Sequence, residues 1–379
     1  MKRMTLTDLT TVMENPTGIH RYFGWPTLAK KRDGTLVCAA SGFRLAHVCP
    51  FGKTVLSQSY DNGRTWCRPT PVIDTVLDDR DGGVAVFGEN SLIVTSFNNT
   101  ADFQMQCIEN WERTGYETAE FRRLCRSYVE LLQARGLGRR DYGASYRISH
   151  DGGVTWGGVQ KSPITSPHGP VAFRDGLLWV GRTITDGGNV EDVDEVRCYF
   201  MTKDGEMTYL STLPTYGDGR GPILSCEPHA ILLPSGRVLV HVRLQRREPE
   251  LFATFQTVSD DGGVTWSPLV PVTEEVGGAP AHLLLHSKGR LVSVIGHRKK
   301  PFGIRVLFSD DMGDSWDCAT LTDDAPSPDL GYPSVAELPD GRLYLVWYQN
   351  EGGISTIRGG VFDPYEINGS FQNQKGESI

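Results

Sequence analysis

The 379-residue chain has no long apolar run and no pair of cysteines at a metal-binding spacing. Its eight cysteines (Cys38, Cys49, Cys67, Cys107, Cys125, Cys198, Cys226 and Cys318) form neither a CxxC pair nor a dense cluster. That argues against a zinc site, and a chain this long does not call for a disulfide framework, so they read as reduced thiols, mostly buried. Without an apolar stretch of about 20 residues, no transmembrane helix is expected. The segment MKRMTLTDLTTVMENPTG has basic residues but lacks the apolar centre of a secretory signal. A cytoplasmic location is the expectation, although a chain stripped of a leader would read the same. Positive charge is also in short supply, with 38 Lys+Arg against 46 Asp+Glu and a net charge of −8. No general nucleic-acid or membrane-surface binding is expected, while a local basic pocket stays compatible. What is present is 39% hydrophobic residues, enough for a core, with 43 Gly, 22 Pro and scattered aromatics. Many turns with spaced Trp and Tyr point to an all-β protein rather than a helical bundle.

Repeats are the main signal. The pattern Ser-x-Asp-x-Gly-x-(Thr/Ser)-Trp occurs at 59–66, 149–156, 259–266 and 309–316. An Asp bonding the turn backbone, a Gly at positive φ and a Trp packing back make this a hairpin turn, so these aspartates are read as structural. A second repeat sets the organisation. Six segments (27–40, 84–96, 171–181, 230–240, 283–294 and 335–346) read as apolar strand, tight turn, apolar strand around Gly34, Asn90, Gly176, Gly236, Gly289 and Gly341. Six such hairpins, each followed by a further apolar stretch, predict a six-bladed β-propeller over residues 1–367, with a polar tail at 368–379. Segments near 5–13 and 354–363 are expected to complete a shared blade. One spacing is longer, because of an insert at 102–138. There Phe121, Leu124, Cys125, Tyr128, Leu131 and Leu132 fall on one face of a predicted helix.

Equivalent positions of different blades converge around the central axis. The residue nine before each turn residue is Trp25, Asp81, Pro167, Glu227, Pro280 and Tyr332; the following strand exits at Arg44, Asn98, Arg182, Arg243, Arg298 and Tyr348. Both sets should line one mouth. Clustered arginines suit a carboxylate, which the guanidinium fork matches. A Glu beside a Tyr can draw off the phenolic proton, and an Asp opposite can act as general acid. His47, His168, His229 and His282 also fall near strand ends on the mouth side.

With its hairpin repeats and Asp boxes, the chain resembles the sialidase (neuraminidase) superfamily, which implies a six-bladed BNR propeller. CEPHAILLPSGRVLVHVR (226–243) is similar to the family segment in which a Glu precedes a clamp Arg by sixteen residues, implying Glu227 and Arg243. GYPSVAELPDGRLYLVWY (331–348) looks like the segment carrying the nucleophilic Tyr, here Tyr332. HRKKPFGIRVLFSDDMGDSW (297–316) resembles the segment supplying a further clamp Arg, Arg298 or alternatively Arg305. The first inner strand departs from the family: FGWP (23–26) has Gly24 where an Arg is usual, and the acid/base Asp that should follow is missing. SGFRLAHVCPFGKTVL (41–56) offers Arg44 and His47 instead, and DDRDGG (78–83) offers Asp81.

The resemblance implies a retaining exo-glycosidase of the exo-α-sialidase type acting on a terminal sialic acid or related acidic sugar. Tyr332 would attack the anomeric carbon and Glu227 would assist, with Asp81 or His47 as acid. Arg243, Arg298 and Arg44 or Arg182 would hold the carboxylate, with Trp25 and His229 as further substrate contacts. A phenol suits an anomeric centre that already bears a carboxylate. Two alternatives are a uronate-type hydrolase or lyase using His, Arg and Tyr, and a non-catalytic propeller that binds glycans or proteins. No motif implies a cofactor, a metal or a particular oligomeric state.

Overall fold

The computed structural model describes residues 2–184, 195–272 and 277–368. The proposed polar tail beyond 368 lies outside the described residues. The chain forms an all-β propeller. Each inner strand turns tightly into a second strand: Tyr22–Lys30 into Leu36–Arg44, Arg80–Phe87 into Ser91–Asn98, Val171–Phe173 into Gly176–Arg182, Leu224–Leu232 into Val238–Arg246, Gly278–Leu285 into Leu291–His297, and Leu330–Glu337 into Leu343–Glu351. These are the six hairpins predicted. Gly34, Gly236, Gly289 and Gly341 make the turn at φ 86° to 93°, where a Cβ would be strained. Two turns differ from the expectation. The left-handed residue is Gly88 rather than Asn90 in the second hairpin and Arg174 in the third, where Gly176 begins the strand.

The backbone hydrogen bonds do not give six separate sheets. They give five: three of four strands, one of six and one of eight. The eight-stranded sheet arises because a single parallel pair, Ser355 with Tyr22, joins the strands after Leu330 to those after Tyr22. The expected pairing of the chain's ends is present: Thr7–Met13 runs antiparallel to Ile354–Phe362. Each second strand carries an apolar run because a neighbouring sheet covers each face. Val292 and Val294 of one sheet, for example, bury against Leu343, Leu345 and Trp347 of the next. Truncating one such leucine to alanine typically costs about 2–5 kcal/mol.

All four Asp boxes close in the same way. In the second, Ser149 Oγ donates to Asp151 Oδ1 (2.7 Å), and Asp151 accepts from the Thr155 amide (2.8 Å) and hydroxyl (2.6 Å). These bonds hold its carboxyl down at about 2, the Thr155 hydroxyl being the largest cause. The Trp indoles reach the adjoining sheet: Trp266 donates to Ser211 Oγ at 2.8 Å and Trp316 to Gln256 Oε1 at 2.9 Å.

The insert holds two helices, α1 (Ala101–Thr114) and α2 (Ala119–Ala134), capped by Thr100 and Thr118. The predicted apolar face is only partly right. α2 buries Cys125, Val129 and Leu132, whereas Leu124 and Leu131 are exposed. Cys125 and Val129, with Ile108 and Trp111 of α1, cover Leu45, Val48 and Phe51, the loop that carries His47. None of the eight cysteines forms a disulfide, and most of them are buried. Among the described residues no helix is long and apolar enough to cross a membrane.

Candidate active site

Five of the six inner strands carry a register shift at the same place, including Gly24/Thr27, Arg80/Gly83, Cys226/His229 and Gly331/Ser334. At four of these bulges a non-glycine residue takes left-handed backbone: Trp25 (φ 55°), Asp81 (47°), Glu227 (51°) and Tyr332 (47°). Such a conformation costs roughly 1–3 kcal/mol for each residue and re-aims its side chain. Four strained residues at one repeat position mark a site rather than a packing solution.

Asp81, Glu227 and Tyr332 meet. Tyr332, almost wholly buried, donates its hydroxyl to Asp81 Oδ2 at 3.0 Å, and the Glu227 carboxylate lies near enough to act on the same hydroxyl. Burial, then Asp81 and Glu227, push the phenol well above its ordinary range. The two carboxyls are driven apart. Burial raises Asp81 to about 6, helped by Glu227. Burial also works upward on Glu227, but Arg243, the Tyr332 hydroxyl and Arg298 outweigh it and hold Glu227 below its usual range. Asp81 Oδ1 is buried without a hydrogen-bond partner. Glu227 pairs with Arg243 at 2.5 Å. Arg243 also bonds Gln245, and Arg243 and Arg298 both lie over the Phe252 ring, at 4.7 and 5.7 Å. Arg298 donates to the Leu330 carbonyl (2.9 Å) and the Tyr348 hydroxyl (3.2 Å). Arg182 is buried and acts electrostatically on Cys226, next to Glu227. A cleft of about 1010 Å³ opens from Arg298, Gln245 and Phe252, with Arg246, Arg247 and Lys299 on its walls.

A second group adjoins the first. His47 Nδ1 lies 3.0 Å from Asp329 Oδ1 and 2.9 Å from the Tyr22 hydroxyl, which itself donates to Asp329 at 2.8 Å. Asp329 also accepts from Tyr348 (3.2 Å) and Asn350 (2.8 Å). Burial lowers the His47 pKa, with Asp329 opposing. Trp25 meets the His47 ring edge-on at 4.9 Å, and Arg80 lies over the Trp25 ring at 4.5 Å.

Two other expectations need correction. Arg44 does not face the mouth. It is fully buried behind Trp25 and paired with Asp78 at 2.5 Å, with Ser41 and the His47 carbonyl taking further N–H groups. Arg305 sits in the third strand of its sheet and donates to the Thr322 carbonyl at 3.0 Å, so its guanidinium supports backbone. His229, half-buried, stacks on His282 at 4.2 Å and accepts from the Leu283 amide, forming a trio of rings with His168, whose ring lies 5.4 Å from that of Tyr332. Burial holds these three imidazoles neutral. Among the described residues no group of three or more His, Cys, Asp or Glu is placed to hold a metal ion. Sequence reasoning missed Arg80, Tyr22 and Asp329. Arg80 and Asp329 lie beside expected site residues, in DDRDGG and three before Tyr332, but nothing local marks them as functional.

The profile of the BNR repeat-like domain family matches residues 129–345, more than half of the chain. No curated protein matches the sequence. A solved structure of unknown function from Dyadobacter fermentans superposes with a TM-score of 0.71 at 19% identity, covering 94% of this chain and 97% of that one. The intramolecular trans-sialidase of Ruminococcus gnavus, solved with oseltamivir carboxylate, gives 0.62 at 13% identity, covering 96% and 99%. The α-L-arabinofuranosidase Arb93A of Fusarium graminearum, solved with an iminosugar inhibitor, gives 0.60 at 12% identity, covering 93% and 96%. Identities this low show a shared fold.

Proposed function

Starting from a chain that belongs to the BNR repeat-like domain family, we propose that it is a retaining glycosidase of the sialidase type for a terminal acidic sugar. The observation that carries this is the Tyr332 hydroxyl held between Asp81 and Glu227, beside Arg243. A trans-sialidase and an arabinofuranosidase share the fold, which supports a carbohydrate substrate. The eight-stranded sheet is read as two blades joined by one backbone pair, giving six blades in one domain over 1–367.

Tyr332 attacks the anomeric carbon while its proton passes to Glu227, which is ionised and therefore able to accept it. The charged partner makes a phenol with a raised pKa usable, because its proton leaves as the new bond forms. Asp81, protonated up to about pH 6, or His47 gives the leaving oxygen its proton. Arg243 and Arg298 hold the substrate carboxylate, with Arg80 in place of the missing first-strand arginine. The uronate-lyase reading has one observation in its favour, an imidazole beside Arg80 and Arg298.

Incubation with sialyl-lactose and with uronate oligosaccharides, followed by mass analysis of the products, tests this. Release of free acidic sugar with retained configuration is expected. An ultraviolet-absorbing unsaturated product would replace the reading with the lyase. No turnover together with tight glycan binding would leave the binding module.

A further inference from the structure

We propose that His47 and Asp329 form a carboxylate–imidazole dyad that transfers the proton at the leaving-group oxygen, with His47 catalytic and Asp329 its positioning residue. This rests on the glycosidase reading above and decides which group acts as acid. The first inner strand lacks the usual acid, and Asp81 is committed to the Tyr332 hydroxyl at 3.0 Å. His47 is free for the task. Its Nδ1 is taken by Asp329 and Tyr22, which leaves Nε2 as the ring nitrogen without a described hydrogen bond. The carboxylate fixes the tautomer and stabilises the imidazolium. Tyr22, Trp25 and Tyr348 around it are buried, yet 39% of the His47 side chain is exposed, and its ring meets Trp25 at 4.9 Å and feels the charges of Arg80 and Arg298.

Asp329 is built to hold still. Tyr22, Tyr348, Asn350 and His47 all donate to it, and the Tyr348 hydroxyl also accepts from Arg298. A carboxylate with four donors on two oxygens cannot rotate to follow substrate, so it orients what it touches. The steps balance. In the first, the C–O electron pair leaves with the aglycone oxygen, which takes the Nε2 proton of imidazolium His47. Tyr332 Oη bonds the anomeric carbon and its proton goes to Glu227. In the second, neutral Nε2 takes a proton from water as the water oxygen displaces Tyr332, which recovers its own proton from Glu227. The charged and titratable groups facing His47 are Asp329, Tyr22, Arg80 and Arg298.

The test compares wild type, His47→Gln, Asp329→Asn and Tyr332→Phe on an aryl sialoside with a good leaving group and on sialyl-lactose with a poor one. His47→Gln should lose on the order of 100-fold in kcat on sialyl-lactose and far less on the aryl sialoside, which needs no proton. KM should hardly move, and the alkaline limb of the kcat profile should vanish. Asp329→Asn should lose on the order of 10-fold and shift that limb to lower pH, since the amide no longer supports the imidazolium. Circular dichroism and thermal melts check folding, and the aryl sialoside reports an intact site even in a weakened variant. Equal losses on both substrates, or an unchanged pH profile, would overturn the dyad while Tyr332→Phe inactivity upheld the glycosidase. A wild type inactive on both substrates would overturn the two together.

Discussion

The hydroxyl of Tyr332 reaches Asp81 at 3.0 Å although 251 residues separate them. Each side chain is delivered by a left-handed residue at a bulge in a different sheet. The two bulges act alike, re-aiming a strand residue out of the regular alternation of its strand. Because the backbone is strained at both, neither position is a place where Tyr or Asp serves packing best.

Tyr332→Phe removes the proposed nucleophile but keeps the ring. The expected loss is on the order of 10²-fold or more in kcat with KM little changed, since the missing interaction belongs to the transition state. Steady-state kinetics on the substrate identified by product analysis checks this. A fully active variant would sink the tyrosine mechanism.

Asp81 links the chemistry to pH. Its carboxyl is raised from 3.8 to about 6 in the fold, so its contribution to stability is full below about pH 4 and is lost as pH rises through about 6. A shift of that size corresponds to about 3 kcal/mol. Asp81→Asn should therefore melt higher than wild type at pH 8, and the two should converge at pH 4. Thermal melts across that range decide it; a gap that does not change with pH would contradict the raised carboxyl.

Arg44 and Arg298 should separate stability from binding. Arg44→Ala leaves the fully buried Asp78 with Arg80, at 3.7 Å, as its remaining cation, an expected cost of about 3 kcal/mol in urea unfolding. Arg298→Ala should instead raise KM for an acidic substrate and change unfolding little. Equal effects of the two variants on KM would place Arg44 at the mouth after all.

Asp151→Ala should lower the melting temperature and leave kcat per folded molecule unchanged, because Asp151 only ties Ser149 to Thr155 within its hairpin turn. Its depressed carboxyl supports the fold above pH 4, and that support fades as pH falls towards 2. Active-site titration alongside kinetics separates folded fraction from turnover.

What could be read from the sequence was local. A tight hairpin fixes the distance from turn to bulge, so counting back nine residues found Trp25, Asp81, Glu227 and Tyr332 together. Counting forward worked less well. The second strands exit at different offsets, and nothing near Arg44 says that Asp78, from another hairpin, will bury against it. Asp329 meets Tyr22 across 307 residues and is invisible to any local rule. α1, reading ADFQMQCIENWERT, has too few apolar residues to announce itself, and on α2 the loop it covers, not the apolar content, selected the buried face. The sheet count depended on one backbone pair between strands at opposite ends of the chain.

The antiparallel pairing of Thr7–Met13 with Ile354–Phe362 also sets a timetable. Thr7 and its partner Val361 are 354 residues apart, so at roughly 5–20 residues per second a ribosome needs about 20–70 s to make the second after the first. For that interval Thr7–Met13 has no sheet edge of its own to join. The nascent ring stays open, its first and last hairpins unable to meet, and Tyr332 has not yet been made when Asp81 is already in place. Under the proposed mechanism, catalytic competence therefore arrives with ring closure, and a chain interrupted before residue 332 would be an almost complete propeller lacking Tyr332.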